Sequence, residues 1–214
     1  MSIIVPSIMA TTPDQLKASV EKFQPLVTHI HLDVSDGQFA STTLLAPEQL
    51  WWPRGWMADI HAMVKNPIDY VDRLIALKPD LIIFHAETGV DLLPIFDRIK
   101  HAGIRAGIAL LKPTVPSDVA GFINAADHVL VFSGDLGHYG GTASLMQLEK
   151  IRLIRAINPK VEIGWDGGVA IDNVFTLTQG GVNILNAGGV LDKAINVSGV
   201  YAELTKEITK QGVI

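Results

Sequence analysis

The chain has 214 residues, no cysteine, and 17 basic against 22 acidic side chains, which gives a formal net charge of −5. The missing cysteine excludes disulfides, thiolate metal sites and a cysteine nucleophile, and the acidic balance argues against a nucleic acid partner, because phosphate backbones bind to basic faces. No apolar run reaches the roughly 18 residues of a membrane span, and residues 1–6 lack the charged start of a signal peptide, so we expect a cytoplasmic protein without a membrane partner.

Short β-rich apolar runs alternate with helical patterns along the whole chain. The runs predict eight strands, at residues 3–5, 29–34, 57–63, 81–84, 106–110, 129–132, 161–165 and 183–186. Apolar residues spaced three or four apart predict helices between them, in the sets Leu16, Val20, Phe23; Leu92, Phe96, Ile99; Leu145, Leu148, Ile151; and Val200, Leu204, Ile208. The connection after the second strand has only a weak helical pattern, confined to residues 47–50.

Strands that alternate with helices form a parallel sheet, and eight such units without a linker predict a single (β/α)8 barrel domain over residues 1–214. A doubly wound open sheet is the alternative architecture. In such a barrel the active site lies where the strands end. Polar residues of chemical interest follow the predicted strands at Ser7, His31, Asp33, Asp36, His61, His85 and Asp166. His29, His101 and His128 fall before or between elements, and we expect them to be solvated.

Four of these strand-end residues have the chemistry of a metal site. His31 and Asp33 are two apart on one strand and therefore face the same way. His61 and Asp166 belong to two other strands, and two imidazoles with two carboxylates suit a divalent ion such as Zn, Fe(II), Mn or Co. The alternative is that the histidines are satisfied by hydrogen bonds inside the barrel.

Glycine pairs after the last strands are typical of an anion site. Gly167 and Gly168 follow strand seven, and Gly188 and Gly189 follow strand eight, where phosphate sites of this fold often lie. Glycines let backbone N–H groups approach an anion closely. The loop at residues 137–141 follows strand six and is expected to close over a substrate. The alternatives are ordinary turn glycines and a flexible loop without ligand contact.

Together these residues resemble the ribulose-phosphate 3-epimerase family over nearly the whole chain. The resemblance lies in residues 6–8 (PSI), 31–39 (HLDVSDGQF), 59–64 (DIHAMV), 84–87 (FHAE), 112–116 (KPTVP) and 166–169 (DGGV). It implies one divalent metal ion bound by His31, Asp33, His61 and Asp166, with Asp33 and Asp166 also acting as the acid–base pair. It implies substrate contacts from Ser7, His61, Gly137, Gly140, Gly141, Gly167, Gly168, Gly188 and Gly189.

The chain departs from the family's usual pattern around the substrate. Ser35 stands where the family usually has methionine, and Gly189 stands where it has serine. Residues 135–141 read DLGHYGG where the family has NPGFGG, and residues 186–191 are also atypical. The metal and acid–base residues are thus retained, while the residues that hold the substrate differ.

The resemblance implies a metal-dependent 3-epimerase that interconverts D-ribulose 5-phosphate and D-xylulose 5-phosphate through an enediolate, with a phosphorylated ketose as partner and a homo-oligomeric assembly. One alternative is an epimerase of another ketose phosphate, such as allulose 6-phosphate. Another is a catalytically silent phosphosugar-binding barrel. A decarboxylase of the orotidine-phosphate type is disfavoured, because it needs a lysine that residues 31–36 lack.

Overall fold

The computed structural model describes residues 2–210, and its strands close into a parallel barrel in chain order. The strands are β1 (Ile3–Ile8), β2 (His29–Ser35), β3 (Met57–Met63), β4 (Leu81–His85), β5 (Arg105–Leu110), β6 (His128–Phe132), β7 (Glu162–Asp166) and β8 (Ile184–Ala187). Closure occurs between β1 and β8, where Ile3 lies opposite Ile184. The predicted barrel is therefore confirmed and the open sheet is excluded. Met1 and residues 211–214, which the predicted domain included, lie outside the described residues.

A helix follows every strand except β2, and two helices follow β8. They are α1 (Pro13–Phe23), α2 (Ile68–Ala76), α3 (Leu93–His101), α4 (Ala120–Ala125), α5 (Leu148–Ile157), α6 (Val174–Gln179), α7 (Gly189–Asp192) and α8 (Val197–Ile208). After β2 there is only a short 3-10 turn at Pro47–Gln49, as the weak pattern predicted, whereas β8 is followed by two helices. None of the helices within residues 2–210 combines the length and apolarity needed to cross a membrane.

The predicted apolar set Leu145, Leu148, Ile151 is wrong at Leu145. Leu145 is 43% exposed and lies in a 3-10 turn, and α5 begins only at Leu148. The buried stripe of α5 is formed instead by Ile151 and Ile154. Leu145 keeps helical spacing to Leu148, but it belongs to the loop that precedes the helix, so it does not face the barrel.

Side chains alternate between two environments along each strand, as the period of two requires. The outward set packs under the helices and forms the main apolar core. The inward set has an apolar layer in the middle of the barrel, formed by Leu81, Ile83, Ala109 and Leu130. Polar side chains lie on both sides of this layer, at the N-terminal floor and at the C-terminal mouth.

The floor is a network of charged and imidazole groups. His29 Nε2 lies 2.8 Å from Asp59 Oδ2, and His128 Nδ1 lies 2.8 Å from Glu162 Oε2. Arg105 Nη1 donates to the same Glu162 oxygen at 2.8 Å. The prediction that His128 is solvated is wrong, because it begins β6 and points inward, with 1% of its surface exposed.

Candidate active site

A cavity of about 270 Å³ opens at the C-terminal mouth of the barrel. Ser7, Asp33 and Asp166 form part of its wall, at the ends of β1, β2 and β7. The seven predicted glycines also line it, namely Gly137, Gly140, Gly141, Gly167, Gly168, Gly188 and Gly189. His31 and His61 lie buried beside the two aspartates, with 1% and 0% of their surface exposed. The barrel thus brings together the predicted metal-site residues, Ser7 and the predicted glycines.

The two histidines and two aspartates form one compact cluster at the mouth. Asp33 Oδ1 lies 2.9 Å from His61 Nδ1 and 3.5 Å from His31 Nε2. Asp166 Oδ2 lies 3.6 Å from His61 Nδ1 and 4.0 Å from His31 Nε2. One ligand atom from each of the four residues falls within 4.8 Å of the others. The predicted convergence of β2, β3 and β7 is therefore present.

This cluster fits a divalent metal ion. Zinc ligands at roughly 2.0–2.2 Å stand at most about 4.4 Å apart across the ion. The four histidine–aspartate separations lie within that limit, and the full spread of 4.8 Å exceeds it by only a small side-chain adjustment. Neither ring nitrogen of buried His31 has a hydrogen-bond partner within the described chain, although Nε2 points toward the carboxylates. A buried nitrogen left unpartnered is costly, and coordination would satisfy it. His31, Asp33, His61 and Asp166 could therefore hold one ion.

The two aspartates differ in how readily they bind a proton. Burial tends to raise the pKa of Asp33, but the adjacent imidazoles of His31 and His61 outweigh it and hold that pKa well below its usual range. Burial raises the pKa of Asp166, and the nearby charge of Asp33 raises it further. Two carboxylates whose pKa values are driven apart are suited to opposite roles in proton transfer.

Behind His61 lies a buried relay of hydrogen bonds that the sequence did not predict. His61 Nε2 is 2.7 Å from His85 Nε2, and His85 Nδ1 is 3.3 Å from Glu87 Oε2. Glu87 Oε1 accepts hydrogen bonds from the Leu111 amide at 2.8 Å and from the Thr114 hydroxyl. Burial lowers the pKa of His85 to about 4, so its ring is neutral near pH 7. His85 was recognised only as a strand-end residue, because contacts between strands do not show in the sequence.

Ser7 and the loop after β6 are tied to each other. Ser7 Oγ donates to Asp33 Oδ2 at 3.0 Å, so it orients a carboxylate besides lining the cavity. The Tyr139 hydroxyl accepts a hydrogen bond from the Met9 amide at 2.6 Å and donates to the Ser7 carbonyl at 3.3 Å. Tyr139 thus anchors the loop at residues 137–141 onto the end of β1. The sequence pattern indicates no role for Tyr139, because its two partners lie 130 and 132 residues earlier in the chain.

The glycines that line the edge of the cavity, here called the rim, allow the loops after β6, β7 and β8 to lie close to one another. Gly167 and Gly168 have φ of 96° and 73°, and a side chain at either position would collide with the backbone of the β6 loop. A Cβ at Gly189 would stand 3.0 Å from the Gly140 amide nitrogen. Within residues 2–210, the amides of Gly140, Gly141 and Gly168 donate to no protein acceptor. These three residues line the cavity, so their unpaired amides are available to an acceptor bound there.

Two cavity-lining residues, Lys193 and Asn186, were not predicted, and the strand-end candidate Asp36 lies outside the cavity. Lys193 is the only lysine or arginine among the described cavity-lining residues; it follows the short helix α7, which the sequence patterns did not predict. Asn186 also lines the cavity, from β8. Asp36, a strand-end candidate, lies outside the cavity and shapes a turn, since its Oδ1 accepts from the Gln38 amide at 2.8 Å.

Comparisons with known proteins agree with this site. A sequence model of the ribulose-phosphate 3 epimerase family matches residues 3–191. A ribulose-phosphate 3-epimerase of Helicobacter pylori is 29% identical over 199 residues, covering 89% of this chain and 91% of that protein. The cytoplasmic isoform from Oryza sativa is 28% identical over 213 residues, with 96% and 93% covered.

Solved structures with low sequence identity share the fold alone. The 3-hexulose-6-phosphate synthase of Salmonella typhimurium superposes with a TM-score of 0.71 at 14% identity, covering 96% of this chain and 98% of that one. A tryptophan synthase structure from Mycobacterium tuberculosis gives 0.70 at 12% identity, covering 98% and 93%. With the family match over most of its length and the clustered histidines and aspartates at the mouth, the chain belongs to the ribulose-phosphate 3 epimerase family of isomerases.

Proposed function

We propose that this protein is a metal-dependent 3-epimerase of a ketose phosphate, and that its substrate pair is D-ribulose 5-phosphate and D-xylulose 5-phosphate. The observation that carries the proposal is the position of Asp33 and Asp166, which come from β2 and β7 and line one cavity whose rim is glycine backbone. Inversion at a carbon next to a ketone needs a proton acceptor on one face and a donor on the other. Two carboxylates from well-separated strands can supply both.

Asp33 is the acceptor and Asp166 the donor for D-ribulose 5-phosphate. The surroundings lower the pKa of Asp33 and raise that of Asp166, so the two carboxylates differ in their affinity for a proton. Ser7 holds one oxygen of Asp33 and thereby fixes the direction from which the carboxylate meets the substrate. In the reverse reaction the two aspartates exchange roles.

His31, Asp33, His61 and Asp166 would hold the divalent ion, which we propose to be Zn, Fe(II), Mn or Co. When bound, such an ion supplies positive charge against the negative oxygen that develops as the C3 proton leaves. Neutral His85 accepts from His61 Nε2, and this leaves His61 Nδ1 as the coordinating nitrogen. The buried position of both histidines excludes water from that side of the site.

The phosphate would bind at the rim, against the free amides of Gly140, Gly141 and Gly168, with Gly167, Gly188 and Gly189 beside them. Lys193 supplies the single positive side chain of the described lining, and its Nζ would be 3.7 Å from a Cβ placed at Gly140. This cation stands close to the position where the family's usual serine has been replaced by Gly189. We propose that charge attraction from Lys193 compensates for the missing hydroxyl.

Replacing Lys193 with alanine tests this phosphate site. We expect Lys193→Ala to raise KM for a ketose phosphate by roughly 3- to 30-fold with little change in kcat, because a phosphate contact remote from C3 acts on binding. Kinetics at low and high salt measure it, since the loss should shrink when salt screens the charge. Lys210→Ala, in the segment after α8, is the matched control. An unchanged KM for Lys193→Ala would place the phosphate elsewhere.

The decisive experiment measures how the hydrogen bound to C3 of the sugar phosphate exchanges with deuterium in heavy water. The protein is stripped with a chelator, reloaded with one divalent metal at a time, and incubated with ribulose 5-phosphate, xylulose 5-phosphate and allulose 6-phosphate. NMR then reports both deuterium at C3 and formation of the epimer. We expect metal-dependent exchange and product with the pentulose phosphates.

Other outcomes lead to the alternatives. Turnover restricted to allulose 6-phosphate would keep the epimerase chemistry and change the substrate, which the altered loop at residues 135–141 and Gly189 permit. Binding of sugar phosphate with no exchange under any metal would indicate a catalytically silent binding barrel and would contradict the proposal.

A further inference from the structure

The side chain of Asn186 has a buried position that the proposed reaction does not use. Leu185 and Ala187 pack under the helices, so the alternation of β8 directs Asn186 into the barrel. Asn186 is 1% exposed and forms part of the cavity wall. Neither its Nδ2 nor its Oδ1 has a hydrogen-bond partner within residues 2–210.

An unpartnered buried carboxamide is costly in a folded protein, because it loses its hydrogen bonds to water and gains none in exchange. Buried polar groups in native structures nearly always have partners. A carboxamide offers two donors and an acceptor, so it fits a hydroxyl, which can accept and donate in turn. The cavity that Asn186 borders is where such a hydroxyl would arrive.

The position of Asn186 along β8 shows which part of a substrate it would meet. Asn186 lies opposite Asp166 in the register of β7 and β8, and it precedes Gly188 by two residues on the way to the rim. A ligand with its phosphate at the rim and its reacting carbon at the aspartates therefore passes Asn186 with the carbons in between. In a ketose 5-phosphate, the carbon between C3 and the phosphate-bearing carbon is C4.

We infer that Asn186 is a specificity-determining residue that hydrogen-bonds the C4 hydroxyl of the substrate. The inference rests on the proposed function for the orientation of the substrate. The site is then selective for ketose phosphates that carry a hydroxyl between the reacting carbon and the phosphate ester. A site built to pair with a hydroxyl discriminates strongly against analogues that lack it, because its own polar group is then left unpaired.

Asn186→Leu, which has nearly the same shape, gives a paired test. The melting temperature of the protein without substrate should rise by about 2 °C or more, because an unpartnered polar group is removed from a buried position. KM for ribulose 5-phosphate should rise by about tenfold or more. A residue whose role is structural would not combine higher stability with weaker substrate binding.

The matched control is Thr178→Val in α6. The Thr178 hydroxyl is also buried and without a partner within residues 2–210, and Thr178 lines a different pocket, together with Ser2 and Gly181, and not the active-site cavity. We expect this variant to melt higher while KM stays unchanged. It shows what the removal of an unpartnered polar group does when no substrate contact is lost.

A second arm changes the substrate in place of the protein. The analogue with hydrogen in place of the C4 hydroxyl should show a KM about tenfold or more above that of ribulose 5-phosphate with the unaltered protein, and a ratio near one with Asn186→Leu. A lower melting temperature for Asn186→Leu, an unchanged KM, or equal acceptance of both sugars by the unaltered protein would each overturn the inference.

Binding can be measured without turnover, which separates the two proposals. The rise in melting temperature caused by ribulose 5-phosphate reports affinity directly. Failure to exchange C3 protons would contradict the epimerase function alone. An equal ligand-induced rise in the unaltered protein and in Asn186→Leu would contradict the role of Asn186 alone.

Discussion

Asp33 and Asp166 are chemically alike but stand in different surroundings. Asp33 has the imidazole of His61 at hydrogen-bond distance and that of His31 close by, whereas Asp166 is buried with the charge of Asp33 beside it. This asymmetry makes each aspartate separately testable. We expect Asp33→Asn and Asp166→Asn each to lower epimerisation by about 100- to 10,000-fold, because one proton transfer is lost in either variant.

The two variants should differ in isotope exchange. If metal remains bound, Asp166→Asn should still exchange the C3 proton of ribulose 5-phosphate without forming xylulose 5-phosphate, and Asp33→Asn should do so for the other epimer. NMR in heavy water and metal analysis of each variant measure this. Full activity with native metal content in either variant would mean that another pair of residues transfers the protons.

His85 should control metal affinity through His61. Replacing it with leucine removes the acceptor for His61 Nε2, and loss of such a supporting hydrogen bond typically weakens metal binding about 10- to 100-fold. Competition with a chelator of known affinity measures the change without any assay of activity. His85→Gln, whose amide oxygen can still accept, should recover part of the loss. The exposed His101→Leu is the control, and equal affinities for all variants would show that His85 has no such role.

The sequence predicts residues of this site where strand periodicity determines them. His31, Asp33, His61 and Asp166 could be placed because strand ends of a (β/α)8 barrel meet at one mouth. The contact of His85 with His61 and the cavity position of Lys193 could not be placed. Those depend on side-chain directions across neighbouring strands and on a short helix with no periodic signal.

At the scale of elements, the hydroxyl of Tyr139 joins the loop at residues 137–141 to the end of β1. Tyr139 connects it to the Met9 amide and the Ser7 carbonyl. We expect Tyr139→Phe to raise KM by roughly 2- to 20-fold and to increase hydrogen exchange of the loop, because the ring remains while both hydrogen bonds are lost. Tyr70→Phe in α2 is a control away from the mouth. An equally protected loop in Tyr139→Phe would show that other contacts hold it.

Elements with regular patterns were predicted well, and those without were not. The predicted bounds of β3 match the structure at residues 57–63, because its apolar run is bordered by clear turn residues. The prediction of β1 ended before Pro6, although the strand continues to Ile8. The helix α7 has four residues, which is too short to establish a helical period.

For the molecule as a whole, the charged groups at the N-terminal floor of the barrel should make the free energy of unfolding depend on pH. Burial tends to raise the pKa of Glu162, but the hydrogen bond and charge of His128, followed by Arg105, outweigh it and lower the pKa to about 2. A lowered pKa in the folded state stabilises the protein fully above the unfolded value of roughly 4.3 and loses that effect as pH falls toward about 2.

Comparison with Glu162→Gln isolates this contribution. The variant should melt at a lower temperature near pH 7, and the difference from the unaltered protein should shrink between about pH 4.3 and pH 2. The exposed Glu203→Gln in α8 is the control. A difference that stays constant across this range would mean that the floor does not couple protonation to folding.

The homo-oligomeric assembly stays a prediction.

The close approach of Gly189 to Gly140 has an evolutionary consequence. A Cβ at position 189 would stand 3.0 Å from the Gly140 nitrogen, so a serine there, as in the family's usual pattern, would require the loop to shift by a few tenths of an ångström. We therefore expect the two departures to depend on each other: restoring the serine alone should impair the protein more than restoring it together with the shorter loop. Position 189 and the loop at residues 137–141 therefore constrain each other's evolution, because a change in one alters which residues the other can accept.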